Sequence, residues 1–451
     1  MSGGFDGEML DRGHEGYERA RRAAVWNGRT PERYPQLIVR AAGEADVVRA
    51  VLMAGELDMR ISVRSGGHSW AGNHLRDGGM LIDLSSMNRL TVHAAGMSAV
   101  VEPGCVGREL AAELAAHELF FPAGHCSGVA VGGYLLQGGF GWNGRVHGPA
   151  CMSVQAVDLV TADGRSVHAN EDENPDLLWA ARGAGPGFFA VVTRFHICVA
   201  PRPAVVANGI YLYPIDLLED VLIWAHEISP RIPRMMELML LIHRRADGEL
   251  EIALTGPVLA AGEREADEAL ALLARCPVAH LATAATPNVR VELDDLFQGV
   301  HLAYPDGHRF AADNMWTHAP ACELLPPIRR IAETMPPSPS HMLWMNWGPG
   351  ATPAPPRPDM AYSVEDDTYI ALYGVWTDAA QDDANVSWVT DRMREMEPLA
   401  SGIQLADENL GRRPARFVTG ENLARLDDLR AQHDPHGRFH EWMGRPVPAG
   451  P

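Results

Sequence analysis

Lysine is absent from this chain: the 38 basic side chains counted as Lys or Arg are all Arg. That excludes Schiff-base chemistry and a Walker-type phosphate loop, both of which need a Lys amine. The six cysteines, Cys105, Cys126, Cys151, Cys198, Cys276 and Cys322, form no Cys-x-x-Cys pair. Neither a zinc site nor a dense disulfide framework is therefore expected. No apolar run is long enough to span a bilayer, and the N-terminal residues lack a basic region followed by an apolar stretch. A soluble cytoplasmic protein with reduced thiols is the expectation. No Gly-x-Ser-x-Gly elbow, internal repeat or low-complexity tract is present. Positive charge is scarce: the formal net charge is −20, which disfavours nucleic acid and anionic membrane surfaces as partners. His433, His436 and His440 lack a matching carboxylate pattern, so a solvated tail rather than a metal site is expected there.

Glycine is plentiful. With 451 residues the chain exceeds one ordinary core, so two domains are expected, at an ordinary hydrophobic content of 46%. Pro35–Ala41 reads as a strand, Glu44–Leu57 as an amphipathic helix and Arg60–Arg64 as a second strand. That strand runs into Val63–Trp70, read Val-Arg-Ser-Gly-Gly-His-Ser-Trp. Gly66 and Gly67 suit a loop that leaves its N–H groups to a ligand, and Arg64 puts a permanent charge beside it, which suits a phosphate. His68 stands at the loop's end. A second glycine-rich stretch, Gly124–Gly141, carries Cys126, whose neighbour His125 favours a lowered thiol pKa and an exposed thiolate. Gly139-x-Gly141-x-x-Gly144 matches the dinucleotide fingerprint, but without flanking elements it reads better as a lining for a flavin.

Pro201, Pro203 and Pro214 punctuate a boundary, after which glycine density falls. Helices are expected at Asp216–Ser229, Gly262–Arg275, Asp382–Glu397 and Gly420–His433. Strands are expected at Arg234–Arg244, Met342–Trp347 and Tyr369–Trp376. Gly348–Pro358 is a Pro-rich loop long enough to be functional. Trp344, Trp347, Tyr373 and Trp376 read as core or as an aromatic substrate face.

Four stretches occur in a telling order: Arg64-Ser65-Gly66-Gly67-His68-Ser69; Gly124-His125-Cys126-Ser127-Gly128-Val129; Gly132-Gly133 followed by Gly138-Gly139-Phe140-Gly141; and Asp176-Leu177-Leu178-Trp179-Ala180 with Arg182-Gly183. In this the chain resembles the FAD-linked oxidases of the berberine bridge enzyme type, in the vanillyl-alcohol oxidase fold family. The resemblance is dense over about residues 35–200. It implies an α+β, two-domain FAD-binding fold. An FAD-binding part at 1–202 is completed by 406–451, and an antiparallel-sheet substrate domain backed by helices occupies 203–405. It implies FAD bonded to both His68 and Cys126, the bicovalent arrangement, which is expected to raise the flavin's reduction potential. Val192 matches the strand whose backbone meets the adenine, and Val129 a position whose small side chain goes with dioxygen access.

Two departures stand out. The family's Tyr-x-Asn-Tyr segment is matched by Gly402-Ile403-Gln404-Leu405, so its proton-accepting tyrosine is missing, and Gly-Gly-His becomes Gly132-Gly133-Tyr134. Tyr134 and Asp359 are the candidate substitutes, with Glu365 and Asp367 beside the Pro-rich loop. The expected activity is hydride removal from an alcohol, hemiacetal or activated C–H of a small natural product or sugar, with dioxygen as acceptor. A redox-neutral cyclisation or elimination, or an oxygenation, is the alternative that the missing tyrosine leaves open.

Overall fold

A computed structural model describes residues 4–445. Strand Ile61–Arg64 pairs in parallel with Met80–Asp83, which pairs in parallel with Leu37–Arg40, and Glu8–Asp11 closes this four-stranded sheet antiparallel. Helix Glu44–Glu56 packs Val47, Ala50, Val51 and Ala54 onto it, the helical spacing read from sequence. A second sheet of five antiparallel strands follows, ordered 90–93, 98–101, 191–198, 154–160 and 166–169. Its inner face carries Val157, Leu159, Phe195 and Ile197 into one core.

An eight-stranded antiparallel sheet occupies residues 205–376, ordered 258–260, 205–214, 250–255, 239–244, 341–346, 368–376 and 309–317, with 284–290 also paired on 205–214. Alternation decides what each face does. In Thr368–Trp376, Ile370, Leu372 and Trp376 join the core under helices Leu218–Ile228, Ala321–Glu333 and Asp382–Met396. Tyr369, Ala371, Tyr373 and Val375 point the other way. Trp344 goes to the helix side and Trp347 to the other, so the four aromatics read together from sequence divide between two cores.

Three elements differ from the sequence reading. Val205–Pro214 is a ten-residue strand where prolines had marked only a boundary; Pro203 precedes it and Pro214 ends it. Arg309–Thr317 is buried along almost its whole length and so shows no alternation. Helix Ala321–Glu333 contains Pro326 and Pro327 yet runs on, with Ala321, Leu324, Ile328 and Ile331 inward.

The C-terminal segment returns to the first sheet. Ile61 N–H donates to Arg438 O at 2.7 Å and His440 N–H to Ile61 O at 3.0 Å, and Phe439 is buried. Helix Gly420–His433 puts Leu426 and Leu429 into the core of the five-stranded sheet.

Candidate active site

A cavity of about 540 Å³ lies between the glycine-rich loops and the open face of the large sheet. His68 and Cys126 both line it, as do Arg64, Ser65, Gly66, Gly67, Ser69, Gly124, Val129, Gly133 and Tyr134. Gly128, Gly132, Gly138, Gly139, Gly141 and Val192 do not. Gly132, Gly138, Gly139 and Gly141 serve protein packing instead. A Cβ at Gly141 would lie 2.0 Å from Ala123 O, one at Gly132 would lie 2.3 Å from Ser65 Oγ, and one at Gly139 would lie 2.9 Å from Ala150 Cβ. Val192 is buried in strand Val191–Cys198, opposite Leu159; Gly185, Pro186 and Phe188, just before that strand, reach the cavity.

The first loop is held tightly. Gly67 has φ +73°, and a Cβ there would lie 2.1 Å from Ala24 O. Its glycines are thus demanded by the protein, and what they leave to a ligand is backbone: Gly66, Gly67, His68 and Ser69 donate their N–H groups to no acceptor among the described residues. The Arg64 guanidinium is not available to a phosphate. It pairs with Asp83 at 2.7 Å and donates to the carbonyls of Ala23, Ala24 and Gly66, bracing the loop.

His68 stacks on Trp26, with ring centroids 4.1 Å apart and planes 15° apart, and Trp26 stacks in turn on Phe310. Burial lowers the His68 pKa to about 4, so the imidazole is neutral near pH 7. Cys126 opens onto the same cavity. Its thiol is pushed up to about 12 by burial and then by the negative charge of Asp407. The expected thiolate is therefore corrected to a protonated thiol. His125 does not lower it, because its Nε2 is engaged 2.9 Å from Glu237 Oε2, a buried carboxylate that also accepts from Asn143 N–H.

Neither residue expected as a base from sequence is placed for that work. Tyr134 Oη donates to Pro122 O at 2.5 Å, so its hydroxyl is spent on the loop while its ring lines the cavity. Asp359 lies outside the cavity, accepting from Trp179 Nε1 and Arg425 Nη1 at 2.8 and 2.9 Å. Glu365 and Asp367 are outside it too, Glu365 being paired with Arg357.

A different group stands in the cavity wall. Asp407, in the 3-10 turn Leu405–Asp407, accepts three hydrogen bonds: from Trp70 Nε1 at 2.6 Å, Tyr369 Oη at 2.5 Å and Tyr373 Oη at 2.8 Å. Tyr369 and Tyr373 each lie two residues from Ala371, four apart on the strand's open face. Burial, reinforced by Asp407, raises both phenol pKa values well above 10. The protons therefore rest on the tyrosines, with Asp407 as their acceptor. Asn314 clamps this turn: its Nδ2 donates to the backbone carbonyls of Gln404 and Asp407, each at 2.9 Å. The buried Asp313–Arg413 ion pair anchors the residues that follow. Sequence reasoning passed over Asp407, although it lies two residues beyond the stretch aligned with the missing tyrosine. Two of its partners come from a strand more than 30 residues earlier and the third, Trp70, from the end of the first glycine-rich loop, so only tertiary structure unites them.

The cavity walls fit a polar cofactor on the loop side. Asn73 Oδ1, His74 Nε2 and Gln404 Oε1 are buried without a hydrogen-bond partner, and all three residues line the cavity. Gly133 also lines it, and a Cβ there would meet no protein atom within 4 Å. His440 lines the cavity as well, contrary to a solvated tail; burial lowers its pKa to about 3. Among the described residues the one cluster with metal-ligand geometry is Asp158, His168 and His196, on the five-stranded sheet.

Residues 35–170 match the family described as an FAD binding domain. The FAD-linked oxidoreductase ptmO of Penicillium ochrochloron is 32% identical over 433 residues, covering 95% of each chain. Among solved structures, 6-hydroxy-D-nicotine oxidase from Arthrobacter nicotinovorans superposes with TM-score 0.83 at 22% identity, covering 97% of each chain. The BBE-like 1 protein of Physcomitrella patens superposes with TM-score 0.82 at 21% identity, covering 97% of this chain and 96% of that one.

Proposed function

The chain belongs to the FAD-linked oxidoreductases of the berberine bridge enzyme type, and from that premise we propose that it is an oxidase holding FAD through both His68 and Cys126. The observation that carries this reading is that both side chains open onto one cavity whose far wall bears the Tyr369–Tyr373–Asp407 cluster. FAD, when bound, supplies the acceptor for a hydride and passes the electrons on to dioxygen, giving hydrogen peroxide. The free N–H groups of Gly66–Ser69 and the unpaired polar atoms of Asn73, His74 and Gln404 would hold it, with residues 406–451 completing the unit begun by 1–202 and residues 203–405 covering it. Val129 lines the cavity, and its small side chain would favour access of dioxygen.

The chain's own chemistry is the removal of a proton. A substrate hydroxyl that donates to Tyr373 Oη loses its proton there as the phenol's proton passes to Asp407 Oδ2, whose oxygen lies 2.8 Å from the phenol oxygen. The C–H bond so activated then gives up its hydride. Tyr369 holds the same carboxylate oxygen and orients it. This cluster stands in for the tyrosine missing near residue 404, which removes the reason for setting a redox-neutral reaction beside the oxidase reading.

Anaerobic mixing of the holoenzyme with substrate tests the reading. Bleaching of the flavin, followed by one hydrogen peroxide per turnover once air is admitted, is expected. Product formed without bleaching would assign a redox-neutral reaction, and labelled oxygen in the product would assign an oxygenase.

A further inference from the structure

The five-stranded sheet turns one face to its core, and its other face carries a group of side chains that do not line the cavity. Alternation along strands Val154–Val160 and Val191–Cys198 sends Val157, Leu159, Phe195 and Ile197 inward and Asp158, Arg194 and His196 outward. Asp158 stands directly opposite His168 on one neighbouring strand and Arg194 on the other, with His196 two residues beyond Arg194. Two imidazoles thus converge on the two oxygens of one carboxylate. His168 Nδ1 lies 2.6 Å from Asp158 Oδ1, and His196 Nε2 lies 3.2 Å from Asp158 Oδ2. The imidazole centroids are 5.3 Å apart and their planes are 87° apart. One ligand atom from each of the three residues falls within 4.8 Å of the others.

We propose that Asp158, His168 and His196 bind a zinc ion on the outer face of this sheet, tying together strands Val154–Val160, Ser166–Ala169 and Val191–Cys198. Two imidazole nitrogens and one carboxylate oxygen are a zinc donor set with a fourth position left to water. Mg2+ and Ca2+ ask instead for a cage of oxygens. Ligand atoms around a tetrahedral zinc stand roughly 3.3 Å apart. The His196 contact already has that spacing, and the His168 contact needs only to open slightly. Each imidazole then turns a lone pair inward and carries its proton on the outer nitrogen. Neither outer nitrogen, His168 Nε2 or His196 Nδ1, is held by a hydrogen bond among the described residues. Arg194 is the competing cation. Its Nη1 lies 3.4 Å from Asp158 Oδ2 but also 3.3 Å from Glu44 Oε2, so it keeps a carboxylate when the metal takes Asp158. All three ligands are half-buried, which leaves the site open to an arriving ion. The site stands apart from the flavin, and its occupancy does not depend on which reaction the flavin performs.

Calorimetric titration of the flavin-loaded protein with Zn2+, using protein without a histidine tag and desalted after EDTA treatment, tests this. One Zn2+ per chain is expected to bind in the micromolar range and to raise the thermal midpoint, with no such effect from Mg2+. His168→Ala and His196→Ala are each expected to weaken binding by at least about tenfold, and the double variant to lose it. His168→Gln and His196→Gln serve the same purpose should the alanine variants fail to fold. Zn2+ that binds no more tightly than the millimolar range, or that binds the double variant as well as the wild type, overturns the proposal and leaves the three side chains an ion-paired network.

Discussion

The two walls of the cavity handle their polar atoms in opposite ways. On the loop side, buried polar atoms of Asn73 and His74 have no protein partner, and a row of N–H groups from Gly66 to Ser69 is unused. On the sheet side nearly every polar side chain is paired with another. Unpaired buried polar groups are costly, so a protein keeps them where a polar ligand will meet them. The loop wall is built to be completed by a cofactor. On the sheet wall most polar side chains are already engaged, and what stays open there is chiefly oxygen: Gln404 Oε1, the second oxygen of Asp295 and the tyrosine lone pairs.

The largest expected effect strikes the sheet wall alone. Asp407→Asn is predicted to lower kcat by about 10²- to 10⁴-fold, because the tyrosine proton loses its acceptor. The bound flavin's visible spectrum should persist; loss of flavin instead would mean that Asp407 belongs to the cofactor wall. Arg413→Ala attacks the clamp behind that turn. It leaves buried Asp313 unpaired and is predicted to cost about 3–5 kcal/mol, read by denaturant unfolding of the holoenzyme. Gly67→Ala acts on the loop wall through backbone strain at a positive φ and contact with Ala24 O. A loss of about 1–3 kcal/mol with weakened FAD retention is expected, and unchanged retention would detach that loop from the cofactor.

A smaller effect tests both walls together through pH. Burial lowers His74 and His440, on the loop side, to about 3 and His341, on the sheet side, to about 4. Their ordinary value is 6.5, so between these limits the unfolded chain binds more protons than the folded one. The stability held by these neutral imidazoles is complete above pH 6.5 and is lost as pH falls towards 4 and then 3. Thermal midpoints recorded from pH 7 to pH 4 should decline across that window; a flat profile would mean the imidazoles are not buried in their neutral form. The smallest effect is expected at Asp359→Asn, which removes an exposed partner of Arg425 outside the cavity and should leave kcat within about twofold. A large loss of kcat there would restore Asp359 as a catalytic residue.

The same contrast explains what could be read from the sequence. The loop wall is written in short contiguous stretches, Arg64–Ser69 and Gly124–Val129, because a backbone cradle needs consecutive glycines and fixed neighbours. The strand–helix–strand leading into it shows in the alternation and helical spacing of residues 37–64. Individual roles were less legible: whether Arg64 faces a phosphate or Asp83, or whether burial outweighs His125 in setting the Cys126 thiol, depends on contacts far along the chain. The sheet wall is written across strands. Tyr369, Tyr373 and Asp407 acquire meaning only when Asn314 and the Asp313–Arg413 pair press the turn at 405–407 against strand 368–376. Arg309–Thr317 hid for the related reason that a strand buried on both faces shows no alternation.

If His68 and Cys126 meet one cofactor in one cavity, the state of the flavin after acid denaturation shows it. Yellow precipitate is expected from the wild type and from both His68→Ala and Cys126→Ala, each single variant keeping one bond, and colourless precipitate from the double variant. Flavin released into the supernatant by the wild type, or retained by the double variant, would contradict it.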